Sequence, residues 1–194
     1  ALASRPQLDE GAWQELLDQW HGATRKLIVA GMHPADSCLH AALASLASDP
    51  SVAIFADVTA NLHTLPCVPL HADTILGTRD AATLNRLRPE LVVNFGGQVT
   101  SKNVKSLLRG SDLNALWHVR PNIVAPDTYQ ALSHVVPMAP AEFLGQLAAR
   151  SGQPPAASDA GYQADWAALD TQAAAVLDRL LAEAPFNEFD AVYH

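Results

Sequence analysis

Five short apolar runs divide the chain, and between them apolar residues return at helical spacing. The runs Leu27–Ala30, Ser51–Phe55, Glu90–Phe95, Ala115–Val119 and Ser133–Val136 read as strands. In the third, Leu91, Val92, Val93 and Phe95 surround a single polar Asn94, the pattern of a strand covered on both faces. Leu8–Ala23 is predicted helical, with Trp13, Leu16, Leu17 and Trp20 on one face. A second helix is predicted from Pro34 or Ala35 to about Ala47, with Leu39, Leu43 and Leu46 inward. Further helices follow over Thr78–Arg88, Thr100–Arg109 and Ala139–Arg150. Tyr162–Ala184 is a long, Ala-rich amphipathic helix carrying Trp166, Leu169, Val176, Leu177, Leu180 and Leu181. Asp57–Thr74 is expected to be irregular, because Pro66 and Pro69 exclude a helix there. Pro121–Thr128 reads as a loop and Ser151–Gly161 as a flexible linker. The alternation predicts an α/β fold in three layers, a mainly parallel sheet flanked by helices.

The strongest local signal is Leu91–Lys105, a buried strand, a two-glycine turn and a helix opened by Thr100 or Ser101. Gly96 and Gly97 allow a sharp reversal and close backbone approach. A helix N-terminus then points free N–H groups above the sheet. Lys102 lies in the first turn, where the helix dipole disfavours a cation, so its placement asks for a reason. Either it joins those N–H groups in holding an anion such as a carboxylate, or it is a solvated lysine behind an ordinary cap.

Composition narrows the classes. At 194 residues and 49% hydrophobic content the chain suits one domain with a sizeable core and room for a terminal appendage. A net charge of −8 argues against nucleic-acid binding, and the basic residues are scattered apart from Arg79, Arg86 and Arg88. No run of eighteen apolar residues exists, so no transmembrane helix and no membrane partner is expected. The two cysteines, Cys38 and Cys67, make no disulfide framework, and a reducing cytoplasm is the expected location. The chain begins ALASRPQ without Met and ends PFNEFDAVYH, so both ends are expected to be cuts in a longer protein.

Other constellations are weaker. Gly31-Met32-His33-Pro34 sits where a dinucleotide-binding fold keeps its phosphate loop, but G-x-G-x-x-G is absent and Pro34 is obstructive. A plain structural turn is favoured there. His63-x3-Cys67-x3-His71 suggests a metal, yet Pro66 and Pro69 forbid the helix that would align those ligands. Cys38 with His40 and His33 is equally loose, so no metal is predicted. No G-x-S-x-G elbow supports a serine hydrolase. Asp57 follows the second strand, at an end where open α/β sheets bind ligands. It could equally accept N–H groups of its own turn, and that structural role is favoured.

Taken in order, several stretches resemble the central domain of the thiamine-diphosphate-dependent synthase family of menaquinone biosynthesis (MenD). They are Arg25–Gly31 (RKLIVAG), Ile54–His63 (IFADVTANLH), Leu87–Arg109 (LRPELVVNFGGQVTSKNVKSLLR), Leu116–Asn122 (LWHVRPN) and Ser133–Leu147. The resemblance implies a central α/β domain of the NAD/FAD-binding type over residues 1–150, a linker over 151–161, and a helical lead-in over 162–194 to a C-terminal diphosphate-binding domain. It also implies N- and C-terminal partner domains of the same chain and a homo-oligomer, dimer or tetramer, of the full-length enzyme. That family decarboxylates 2-oxoglutarate and adds the succinyl unit to isochorismate, with thiamine diphosphate and Mg²⁺ as cofactors. The superfamily's diphosphate motif begins Gly-Asp, and this chain contains no Gly-Asp pair. The segment by itself is therefore expected to bind no cofactor, to contain no catalytic residue and to be inactive.

Thr100-Ser101-Lys102 resembles the family's Thr-x-Lys, whose lysine faces the active-site cleft. The resemblance makes Lys102, Thr100, Ser101 and Asn103 the candidate substrate-binding residues, with Gly96, Gly97 and Asp57 shaping the cleft. Some family members carry arginine after the lysine; Asn103 stands here, which leaves a bidentate clamp on a carboxylate without its guanidinium. Two alternatives remain: a free-standing module that holds NAD or FAD, and the central domain of another thiamine-diphosphate enzyme such as acetohydroxyacid synthase or pyruvate oxidase.

Overall fold

Every residue of β1 (Lys26–Ala30), β3 (Leu91–Phe95) and β4 (Ala115–Val119) is buried, which requires cover on both faces of the sheet. The structure, a computed structural model, describes residues 8–122, 126–152 and 161–183. With β2 (Val52–Ala56) and β5 (His134–Val136) the strands form one five-stranded, all-parallel sheet in the order β2-β1-β3-β4-β5. Its register aligns Ile28 with Ile54 and Val93, Val93 with Trp117, and Val119 with Val136. The expected α/β class is the observed one.

Strand alternation sends Ile28, Ile54, Val93 and Trp117 to one face, beneath α1 (Glu10–Gly22), α2 (Ser37–Leu46) and α6 (Pro140–Ser151). Trp13 stacks on Phe143 in this layer, with ring centroids 5.3 Å apart. Leu27, Val29, Phe55, Val92 and Leu116 face the other way. They meet α3 (Ala72–Leu76), α4 (Ala81–Leu87), α5 (Lys102–Arg109) and the first half of α7 (Gly161–Glu183). Tyr162 and Trp166 bury themselves there, and the Tyr162 hydroxyl donates to the Leu87 carbonyl at 3.1 Å. At the amino ends of the strands, buried Lys26 donates to Asp49 at 3.2 Å and to Ser51 Oγ at 2.6 Å.

Several boundaries differ from the sequence pattern, and local hydrogen bonds explain the starts of α2, α4 and α5. Helix α2 starts at Ser37 because the Asp36 carboxylate accepts from the N–H groups of Cys38 and Leu39. Helix α4 starts at Ala81 because Asp80 does the same for Ala82 and Thr83. The expected irregular stretch contains a 3-10 turn, Val58–Ala60, and α3 begins inside it once the second proline is passed. Of the two candidate caps for α5, Ser101 is the one used: its Oγ accepts from the Val104 N–H at 3.1 Å. Parts of the expected linker (153–160), the loop tip 123–125 and the tail 184–194 lie outside the described residues.

Candidate functional site

Open parallel sheets take ligands beyond the carboxyl ends of their strands, where the strand order reverses. Here that point lies between β1 and β3, and main chain closes it. The Gly31 N–H donates to the Phe95 carbonyl at 2.9 Å, and the Gly97 N–H to the Met32 carbonyl at 2.8 Å. A Cβ at Gly31 would lie 2.2 Å from the Gly97 carbonyl oxygen. Gly96, at φ +82°, would place a Cβ 2.8 Å from the Gly31 oxygen. The glycines therefore let two strand-to-helix turns lie back to back, and no room remains between them for a pyrophosphate. Gly31-Met32-His33-Pro34 is a structural turn.

The corner opens to either side of this closure, toward β2 and over β3 and β4. A cavity of about 640 Å³ lies between the ends of β2 and α5, and its lining includes Phe55, Asp57, His63, Asp73 and Lys102. Asp57 was open to two roles, and it accepts from its own turn: Thr59 N–H and Oγ–H reach Oδ1 at 3.2 and 2.8 Å. It also reaches across the sheet, where Thr100 N–H and Oγ–H donate to Oδ2 at 2.6 and 2.7 Å. Burial disfavours the Asp57 charge, but the donors from Thr100 and Thr59 outweigh it and hold the carboxyl below the usual range.

Ser101 Oγ donates to Asp73 Oδ1 while it caps α5, and Asn103 Nδ2 donates to the Asp73 carbonyl at 3.0 Å. Three of the four candidate substrate-binding residues, Thr100, Ser101 and Asn103, are thus engaged in building the corner. Lys102 differs. It is exposed, lines the cavity, and makes no hydrogen bond or ion pair among the described residues.

The histidine and cysteine groups do not converge. His71 pairs with Asp170 of α7 at 3.2 Å, Cys67 packs against the first core layer, and His63 lines the cavity. Burial pushes the Cys67 thiol up. His33 Nδ1 donates to the Pro34 carbonyl, His40 Nε2 to that of Asn61, and Cys38 is exposed. Among the described residues, no three His, Cys, Asp or Glu side chains are arranged to hold a metal ion.

A second cavity, about 660 Å³, lies over the ends of β3 and β4 and was not anticipated from the sequence. Asn94 and His118 line it, Nδ2 to Nδ1 at 3.3 Å, and the buried Asn94 Oδ1 has no partner. Lys105 and Arg120 stand on its wall, and among the described residues no acidic side chain does. Burial, then the neighbouring Arg120 charge, pulls His118 down; burial pushes Tyr129 up to about 12. The available signal was polarity: Asn94 and His118 interrupt strands that are otherwise apolar, and a buried polar group needs a partner.

The chain is similar over nearly its whole length to curated proteins named 2-succinyl-5-enolpyruvyl-6-hydroxy-3-cyclohexene-1-carboxylate synthase. That of Desulfotalea psychrophila is 35% identical over 192 residues, covering 95% of this chain and 34% of the relative. That of Porphyromonas gingivalis is 28% identical over 194 residues, covering 98% and 33%. The chain belongs to this synthase family. It spans about a third of the length of these relatives, as a central-region segment of a MenD-type synthase. No protein-family model matches it. In this MenD segment Thr100-Ser101-Lys102 forms the strand-turn-helix corner, and only Lys102 of the three side chains is free of internal partners. No helix among the described residues is long and apolar enough to cross a membrane.

Proposed function

We propose that this chain is the non-catalytic central domain of a thiamine-diphosphate-dependent synthase, and that Lys102 meets a substrate carboxylate at one wall of the active-site cleft. In this reading the full-length enzyme decarboxylates 2-oxoglutarate and adds the succinyl unit to isochorismate. The cofactor and Mg²⁺ belong to domains on either side of residues 1–150, within a cytoplasmic dimer or tetramer. The linker 151–161 and the helical stretch 162–194 lead toward the C-terminal one. Among the described residues, no three His, Cys, Asp or Glu side chains are grouped to hold Mg²⁺. The missing G-x-G-x-x-G counts against a free-standing NAD or FAD module.

One observation carries the reading. Thr100, Ser101 and Asn103 are engaged in building the corner, whereas Lys102 faces the cavity with no hydrogen bond or ion pair among the described residues. An ammonium there offers charge-assisted hydrogen bonds to either carboxylate substrate. Lys102→Ala in the full-length synthase is expected to raise KM for a carboxylate substrate, or lower kcat, by about tenfold, with the melting temperature nearly unchanged. Unchanged kinetics would return Lys102 to the solvated surface.

A further inference from the structure

A lysine beside two aspartates ordinarily pairs with one of them. Lys102 does not, although Asp57 and Asp73 line the same cavity. Both Asp57 oxygens are already engaged, and one of the two Asp73 side-chain oxygens is. Both Asp57 oxygens accept hydroxyl and N–H donors, from Thr59 on one and Thr100 on the other. Asp73 accepts from Ser101 through its side chain and from Asn103 through its carbonyl. These bonds run from the turn after β2 and from α3 to Thr100, Ser101 and Asn103, before and within the first turn of α5. Two carboxylates at a helix N-terminus also offset the unfavourable field that a first-turn lysine meets there.

We propose that Asp57 and Asp73 are positioning residues for the substrate-binding lysine: through Thr100 and Ser101 they fix the first turn of α5 and keep Lys102 unpaired toward the cavity. This rests on the reading of Lys102 given above. The aspartates touch no substrate. They set where the ammonium stands and leave it free to receive an incoming carboxylate, and small displacements of such a group weaken binding steeply. Asn103, tied to the Asp73 carbonyl, belongs to the same brace and is not a second ligand for the substrate.

The test is a double-mutant cycle in the full-length synthase, reading KM and kcat for each carboxylate substrate together with the melting temperature. Asp57→Asn loses acceptor capacity toward the hydroxyls and is expected to raise KM about tenfold, as Lys102→Ala does. The Asp57→Asn/Lys102→Ala double variant is expected to be no worse than Lys102→Ala alone, because both changes act through one ammonium. Effects that multiply in the double variant would overturn the positioning role and leave Lys102 as a ligand. A Lys102→Ala enzyme with unchanged KM and kcat would fail the underlying reading and this inference with it. If Asp57→Asn does not fold, Thr100→Val carries the same cycle, and Thr100→Ser is expected to recover most of what Thr100→Val loses. Failure of serine to recover it would also count against the brace.

Discussion

A methyl group added at Gly31 would meet the Gly97 carbonyl at 2.2 Å, main chain against main chain, with no flexible side chain to give way. Gly31→Ala is therefore expected to cost about 3 kcal/mol, read as a lower urea midpoint. Gly145 lies inside α6 with nothing within 4 Å of an added Cβ. Gly145→Ala is expected to raise stability by about 0.5–1 kcal/mol in the same titration. The sequence marked Gly96 and Gly97 as a turn, and the turn is there. What it did not reveal was the partner, because Gly31 and Met32 come from a loop more than sixty residues earlier. The corner's brace was hidden for the same reason. Thr100 and Asp57 are 43 positions apart, Ser101 and Asp73 are 28 apart, and no local spacing links them.

Strands were legible because a doubly covered strand is apolar at nearly every position, so β1, β3 and β4 announce themselves despite Lys26, Asn94 and His118. Helix starts were less so. Pro34 is a good first-turn residue, but the Asp36 carboxylate satisfies two free N–H groups and sets the start of α2 after itself. Helix α7 shows the limit of periodicity alone, since its apolar stripe runs the whole length while its burial does not. Trp166 is 1% exposed, whereas Val176 and Leu180 are 46% and 56% exposed. Its first half is fastened further by Gln163, whose amide donates to the Ala47 and Val52 carbonyls, and by the Arg86–Asp165 pair. Trp166→Ala is thus expected to cost about 3–5 kcal/mol. Leu180→Glu should change the stability of the 194-residue chain by less than about 0.5 kcal/mol. A large loss on Leu180→Glu would mean that the second half of α7 is buried against this domain.

For the whole molecule, acid weakens the fold through groups whose folded values lie below their ordinary ones. His118 is held below its ordinary 6.5, first by burial and then by Arg120. The unfolded chain takes up that proton first, so His118 contributes fully above about pH 6.5 and the contribution is lost as pH falls through its folded value. Glu90 and Asp57 follow the same sign lower down, from 4.5 and 3.8 respectively; each is opposed by burial and held down by threonine donors, with Arg25 adding to Glu90. The urea midpoint is expected to begin falling below pH 6.5 and to fall faster below pH 4.5. His118→Phe should flatten the upper part of that slope and leave the lower part intact. The two-layer core has a spectroscopic consequence as well. Of the four tryptophans, Trp13, Trp20 and Trp117 sit on one side of the sheet and Trp166 on the other. Subtracting the emission of a Trp166→Phe chain from that of the parent isolates one buried indole. The two faces of the sheet thereby carry separate optical reporters, and their loss can be timed independently during unfolding.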